Sequence, residues 1–229
     1  NLTLNGLITG CGRSGTSYLA DVLNVSGASC GHEAAYDVFG QHHSSHRFES
    51  SWYAVPFLDQ LPPRTPIVHL VRDPVRVIQS FHRLGLLSKR PFRHVTYGRT
   101  GFHPKAWMLY RRQVRDRWHF VLEHRRFLER HLAVWSEHDE VQRLVTYWFR
   151  WNQMVEDNAA HLNLPYLRVR LEDLDQRLND VAEFLGVDPI LDRRSPTNTK
   201  MGYKPRPVPE VELSEQALLL ANRFGYSGK

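Results

Sequence analysis

The sequence predicts an α/β fold of three layers, with a central parallel sheet and helices on both faces. Three observations predict it. Short apolar runs at 2–9, 66–71 and 165–169 are separated by long stretches of helical periodicity, which is the pattern of βαβ units. The first run ends in a glycine-rich turn that leads straight into a helix. The 229 residues are 41% hydrophobic and 24% charged, which suits one globular unit spanning 1–229. No repeat or low-complexity segment interrupts it.

The elements follow in order. Leu2 to Thr9 reads as a buried strand, and Tyr18, Leu19, Val22 and Leu23 mark the helix after the loop. Pro66 to Val71 is the second strand. Asp73-Pro74 then gives an N-cap and a first-turn proline, and Val77, Ile78, Phe81 and Leu84 form the helix's apolar stripe. Ser88 to Pro104 is polar and reads as a loop. Lys105 to His161 reads as largely helical, with Val145, Trp148, Phe149, Trp151 and Val155 toward the core. Pro165 to Val169 is the third strand. Leu174 to Leu185 is a helix closed by Gly186. Asp188 to Pro209 reads as irregular, and Leu213 to Phe224 as a terminal helix. Ligands of such sheets bind beyond the carboxyl ends of the strands.

The loop after the first strand carries the first chemistry. Gly10 and Gly15, followed by Thr16 and Ser17, have the spacing of a nucleotide-binding loop, so the fold reads as P-loop-like. The lysine that should follow Gly15 is missing, and Arg13 supplies a cation earlier. Successive N–H groups at a helix start favour an anion. Without the lysine, a triphosphate held with magnesium is disfavoured and a smaller anion is expected. A second element is His69-Leu-Val-Arg72-Asp73-Pro74, with Ser80 eight residues after Arg72. Arg72 and Ser80 together suit a second phosphate.

In combination these elements resemble the sulfotransferases that use 3′-phosphoadenosine 5′-phosphosulfate (PAPS). Arg13-Ser14-Gly15-Thr16-Ser17 matches that family's [KR]-S-G-[ST]-[ST] loop, and Arg72-Asp73-Pro74 with Ser80 matches its R-D-P-x5-S element. Val169 to Leu174, with Val181, Phe184, Leu185 and Gly186, is similar to the family's Y-E-D-L segment and the helix that ends F-L-G. Leu171 stands where the family has an aromatic residue. The resemblance implies that Gly12, Arg13, Ser14, Gly15, Thr16 and Ser17 hold the 5′-phosphosulfate, and that Arg72 and Ser80 hold the 3′-phosphate. It also implies that Lys200, in the basic stretch 198–206, closes over the nucleotide. PAPS would then be the co-substrate and 3′,5′-ADP the product, with no obligatory metal.

Sulfuryl transfer needs a base for the acceptor's proton and a cation for charge growing on the leaving oxygen. Arg13 is the candidate for the second role. Ser29-Cys30-Gly31-His32-Glu33 follows the first helix and resembles the C-G-x-E segment of glutamate-dependent enzymes, tyrosylprotein sulfotransferases among them. That points to Glu33 as base, with His32 as its competitor. Glu33 also stands before a short helix expected from Ala34. His42, His43 and His46 fit no zinc pattern.

The net charge of +6 favours anionic ligands. Arg111, Arg112, Arg115, Arg117, Arg125, Arg126 and Arg130 form a basic helical region, which reads as a solvated face or a docking surface for an acidic acceptor. No recognition motif for nucleic acid accompanies it. No apolar run reaches the ~20 residues of a membrane span. Two cysteines, Cys11 and Cys30, make no disulfide framework. These features and the absence of a visible leader tilt toward a bacterial-type cytoplasmic enzyme, with a trimmed Golgi-lumenal domain as the alternative. The acceptor is expected to be a hydroxyl compound: glycan, peptide tyrosine, lipid or small molecule. The rival readings are a P-loop kinase-like phosphotransferase and a non-catalytic nucleotide- or polyanion-binding protein.

Overall fold

The computed structural model describes residues 4–85, 87–89, 122–137, 139–190 and 207–226. Strand β1 (Gly6–Gly10) is buried at every position. It runs through the glycine loop into α1 (Thr16–Val25). Two short strands follow, β2 (Cys30–His32) and, beyond a small hairpin of β3 (Tyr36–Asp37) and β4 (Gly40–Gln41), β5 (Phe48–Ser50). A 3₁₀ segment, Val55–Gln60, leads to β6 (Ile67–Val71) and α2 (Pro74–Leu84). A helix at 122–132 (α3) precedes α4 (Glu140–His161). The chain then forms β7 (Tyr166–Arg170), α5 (Leu174–Leu185) and α6 (Glu215–Arg223).

The five-stranded sheet has the order β2-β5-β1-β6-β7, and every pairing in it is parallel. Alternation along the strands splits the core in two. Leu7, Ile67 and Val71 pack with α2, α4 and α6 on one face. Ile8, Val68, Leu70 and Val169 pack with α1 and α5 on the other. The result is the three-layer fold that the sequence predicts. β1 is central, so the loop at its carboxyl end emerges from the middle of the sheet.

The helix ends follow their sequence signals. The Asp73 carboxylate accepts from the Arg76 N–H at 3.0 Å and caps α2. Gly85 and Gly186 close α2 and α5 in the left-handed region. Three differences stand out. β2 and β5 are strands that the sequence does not predict, because three residues with Gly31, Glu49 and Ser50 among them offer no apolar run. The helix expected from Ala34 does not form; a bend at 33–35 leads to β3 instead. The reason is local. The Glu33 N–H donates to the Ser50 carbonyl at 3.1 Å and the Ala34 N–H to the Glu49 carboxylate at 2.9 Å, so strand β5 takes the donors. The long helical stretch is also broken, at 133–139, where Ala133 has φ 49 and a 3₁₀ turn intervenes. The expected segments 90–121 and 191–206, including Lys200 and Arg111 to Arg117, lie outside the described residues.

Asn24 holds β2 against α1, with its amide donating to the Cys30 carbonyl and accepting from the Cys30 N–H. Both cysteines are free and buried. Burial raises the Cys11 thiol far above its ordinary value and the Cys30 thiol to about 12, so neither is a ready nucleophile.

Candidate active site

The loop 10–15 is shaped by two close approaches. Gly10 has φ 151, and a Cβ there would meet the Leu70 carbonyl oxygen at 2.1 Å. Gly15 has φ 95 and precedes α1 directly, and a Cβ there would strike Leu171 at 2.4 Å. Leu171 thus packs on the loop. Arg13 also lies in the left-handed region, at φ 71, which turns its side chain out to solvent. The Gly12 N–H is taken by the Tyr147 hydroxyl at 2.9 Å, so it is not a donor for a ligand. The first-turn N–H groups of α1, at Thr16 and Ser17, have no partner inside the helix. Their dipoles sum to a positive end there. Ser14 is fully buried, and its hydroxyl has no partner in the structure.

Two distant segments meet at this loop. Arg13 Nε donates to Ser80 Oγ at 3.0 Å, and Arg72 donates to the Arg13 carbonyl at 2.9 Å. Arg76 also faces Arg72, so three guanidinium groups share one region. Trp148 Nε1 donates to the Arg72 carbonyl at 3.3 Å. On the far side, Glu172 accepts from the Asp73 N–H at 3.2 Å and from the Tyr226 hydroxyl at 2.7 Å. The third motif and the chain's last described residues therefore brace the start of α2. The sequence reading places Arg13 beside the 5′ leaving group, but its side chain is turned toward Ser80, on the side read as the 3′-phosphate.

The opposite side of α1's start holds the acid–base candidates. His32 Nε2 lies 3.5 Å from Thr16 Oγ1 and 3.9 Å from Glu33 Oε1. Burial lowers the His32 pKa, which keeps the imidazole neutral. Glu33 has a left-handed backbone, φ 55. Burial and then the nearby Glu49 carboxylate push its carboxyl up to about 7, against an opposing Trp52 hydrogen bond. A carboxylate titrating near neutrality is poised to exchange a proton at physiological pH.

Glu49 is the residue that sequence reasoning misses. It is fully buried behind Glu33. One oxygen binds the Ala34 N–H, and the other has no partner. Burial pushes its carboxyl up to about 7, while the N–H groups of Ala35, Ala34 and Glu33 pull it down. A single acid in Phe48-Glu49-Ser50 carries no spacing signal. Tyr147 is missed for the same reason, as its hydroxyl reads as one more aromatic on a core helix.

Glu33 opens into a cavity of about 500 Å³ walled also by Tyr36, Asp37, Tyr53, Glu123 and His124. The Tyr53 hydroxyl and His124 Nε2 share a hydrogen bond. His42 sits beside the cavity, with Nε2 2.8 Å from Asp37 Oδ1, and His46 bonds Ser29. Arg126 pairs with Glu123, and Arg125 stacks over Trp135 at 4.1 Å. No protein-family model matches this sequence, and no curated protein matches it either. Among the described residues, no helix is long and apolar enough to cross a membrane.

Proposed function

We propose that the chain transfers a sulfuryl group from PAPS to a hydroxyl acceptor and releases 3′,5′-ADP. The observation that carries this reading is the meeting of Arg13, Arg72 and Ser80 at the loop, with Glu33 one histidine away from the same helix start. The donor set suits a nucleotide with two separated anionic ends. The start of α1, with Thr16 and Ser17, offers N–H and hydroxyl donors to one end. Arg13, Arg72 and Ser80 offer two cations and a hydroxyl to the other. The nucleotide supplies the sulfuryl group. Glu33 takes the proton of the acceptor hydroxyl as its oxygen bonds to sulfur and the bond from sulfur to the phosphate oxygen breaks. His32 lies between Thr16 and Glu33, with Nε2 3.5 Å from Thr16 Oγ1, and is the competing proton acceptor. Arg13 reaches the leaving oxygen only by turning away from Ser80. Otherwise the helix start carries that charge.

The experiment is a thermal melt without magnesium. Saturation with 3′,5′-ADP at ~100 times its Kd stabilises by about 2.7 kcal/mol, and 5′-AMP does less. Sulfate added to an acceptor, read by mass, completes the test. Equal shifts from the two nucleotides, or a shift that requires magnesium, overturns the reading in favour of a phosphotransferase.

A further inference from the structure

The cavity beside Glu33 is acidic, although the chain carries a net charge of +6. Glu33, Asp37 and Glu123 line it, and no lysine or arginine is among its described lining residues. Among the described residues, Asp37 pairs with His42 and Glu123 with Arg126, and their side chains keep exposure of 43% and 26%. The walls are also aromatic. Tyr36 and Tyr53 are buried, and Phe39, at the tip of the β3–β4 hairpin, is 68% exposed. A large apolar ring held open to solvent at a cavity's lip is available to a ligand.

These features select one ligand chemistry. Carboxylates and ring faces attract an ammonium group and repel an anion. The volume of about 500 Å³ falls within the range for small molecules. We infer that the acceptor is a small hydroxyl compound bearing an amino group, its ammonium met by Asp37 and Glu123 and its hydroxyl presented to Glu33. This rests on the sulfuryl-transfer reading and narrows its acceptor, against the anionic acceptor that net charge alone favours.

The test uses phenols that differ in charge: tyramine, 4-ethylphenol and 3-(4-hydroxyphenyl)propionate. Two readouts run in parallel, kcat/KM for sulfate transfer and binding in the presence of 3′,5′-ADP. Tyramine exceeds the other two by about tenfold or more, the size of one charge-assisted contact. Asp37→Asn combined with Glu123→Gln brings that advantage close to unity, with nucleotide-dependent stabilisation as the control for folding. Equal or better use of the propionate or of ethylphenol overturns the inference and leaves sulfuryl transfer standing. Amine-selective binding that the double variant abolishes, without turnover of any phenol, overturns the transfer reading and the acceptor role with it, and leaves an amine-binding cavity. Binding of none of the three overturns the inference.

Discussion

Glu33 combines a left-handed backbone with a carboxyl held near 7. A non-glycine residue pays about 1–3 kcal/mol to sit in such a region, and here strand β5 holds it by the Ser50 carbonyl. Glu33→Gln keeps size and hydrogen bonding but cannot accept a proton. Turnover should fall about 10²–10⁴-fold while 3′,5′-ADP affinity persists. Loss of both assigns Glu33 to the loop's shape. Loss of turnover in His32→Ala but not in Glu33→Gln hands the proton to the histidine. Glu49 acts at one remove. Its charge is the second cause of the raised Glu33 pKa, and its carboxylate fixes the Ala34 N–H. Glu49→Gln retains an acceptor and removes the charge. The rising limb of kcat/KM against pH, expected near 7 from Glu33, should then move to lower pH. It should stop above the ordinary glutamate value, because burial remains the larger cause. An unmoved limb means that Glu33 does not feel Glu49. Glu33 and His32 were legible from their place after the loop helix. Glu49 was not, because a buried acid next to a base is defined by three-dimensional proximity and not by spacing.

At the scale of elements, the loop and the β6–α2 junction form one unit. Ser80 touches it only through Arg13, whereas Arg72 also holds the loop's carbonyl. The two substitutions should therefore differ. Ser80→Ala removes one hydroxyl and should weaken 3′,5′-ADP by roughly two- to tenfold, with 5′-AMP unaffected. Arg72→Ala should weaken 3′,5′-ADP about tenfold or more and also 5′-AMP to a lesser degree, because it frees the Arg13 carbonyl. Titration of both variants with both nucleotides checks this. Equal losses for the two nucleotides in Ser80→Ala would remove the second anion site. The sequence showed β1, β6 and β7 through their apolar runs, and α1, α2 and α5 through caps and stripes. It hid β2 and β5. Ser50 donates to the Thr16 carbonyl and Glu49 meets the bend at 33–35, so these strands are polar where pattern reading expects apolar residues. The hairpin at 36–41 has strands of two residues each, too short for any periodicity.

For the whole molecule, buried titratable groups set opposing pH trends. Glu33 and Glu49 are raised from 4.5 to about 7. Their contribution is fully present below 4.5 and is lost as pH rises toward 7. His69 runs the other way. It is fully buried between the Tyr166 hydroxyl and Asn152. Burial lowers it from 6.5 to about 3, so its contribution is present above 6.5 and is lost as pH falls toward 3. Between 4.5 and 6.5 the two acids outweigh the one histidine, so the thermal midpoint should peak near pH 4.5 and decline from there toward 7. Glu33→Gln with Glu49→Gln should remove the decline between 4.5 and 7. A midpoint that climbs steadily to pH 8 in the parent protein contradicts this balance.

The central position of β1 bears on how the chain is born. Gly6–Gly10 precedes every other strand in the sequence, yet its register partners begin only at Phe48 and Ile67. At ~5–20 residues per second of synthesis, a nascent chain waits on the order of several seconds before the first partner is available. During that wait a strand that is fully buried in the finished fold, and its glycine turn, have no ladder to join. β7, which flanks β6, comes later still, after α4. Ribosome pausing before residue 48 should thus expose a sticky segment, and the yield of native protein should depend more on chaperone supply and elongation rate than on the finished fold's stability.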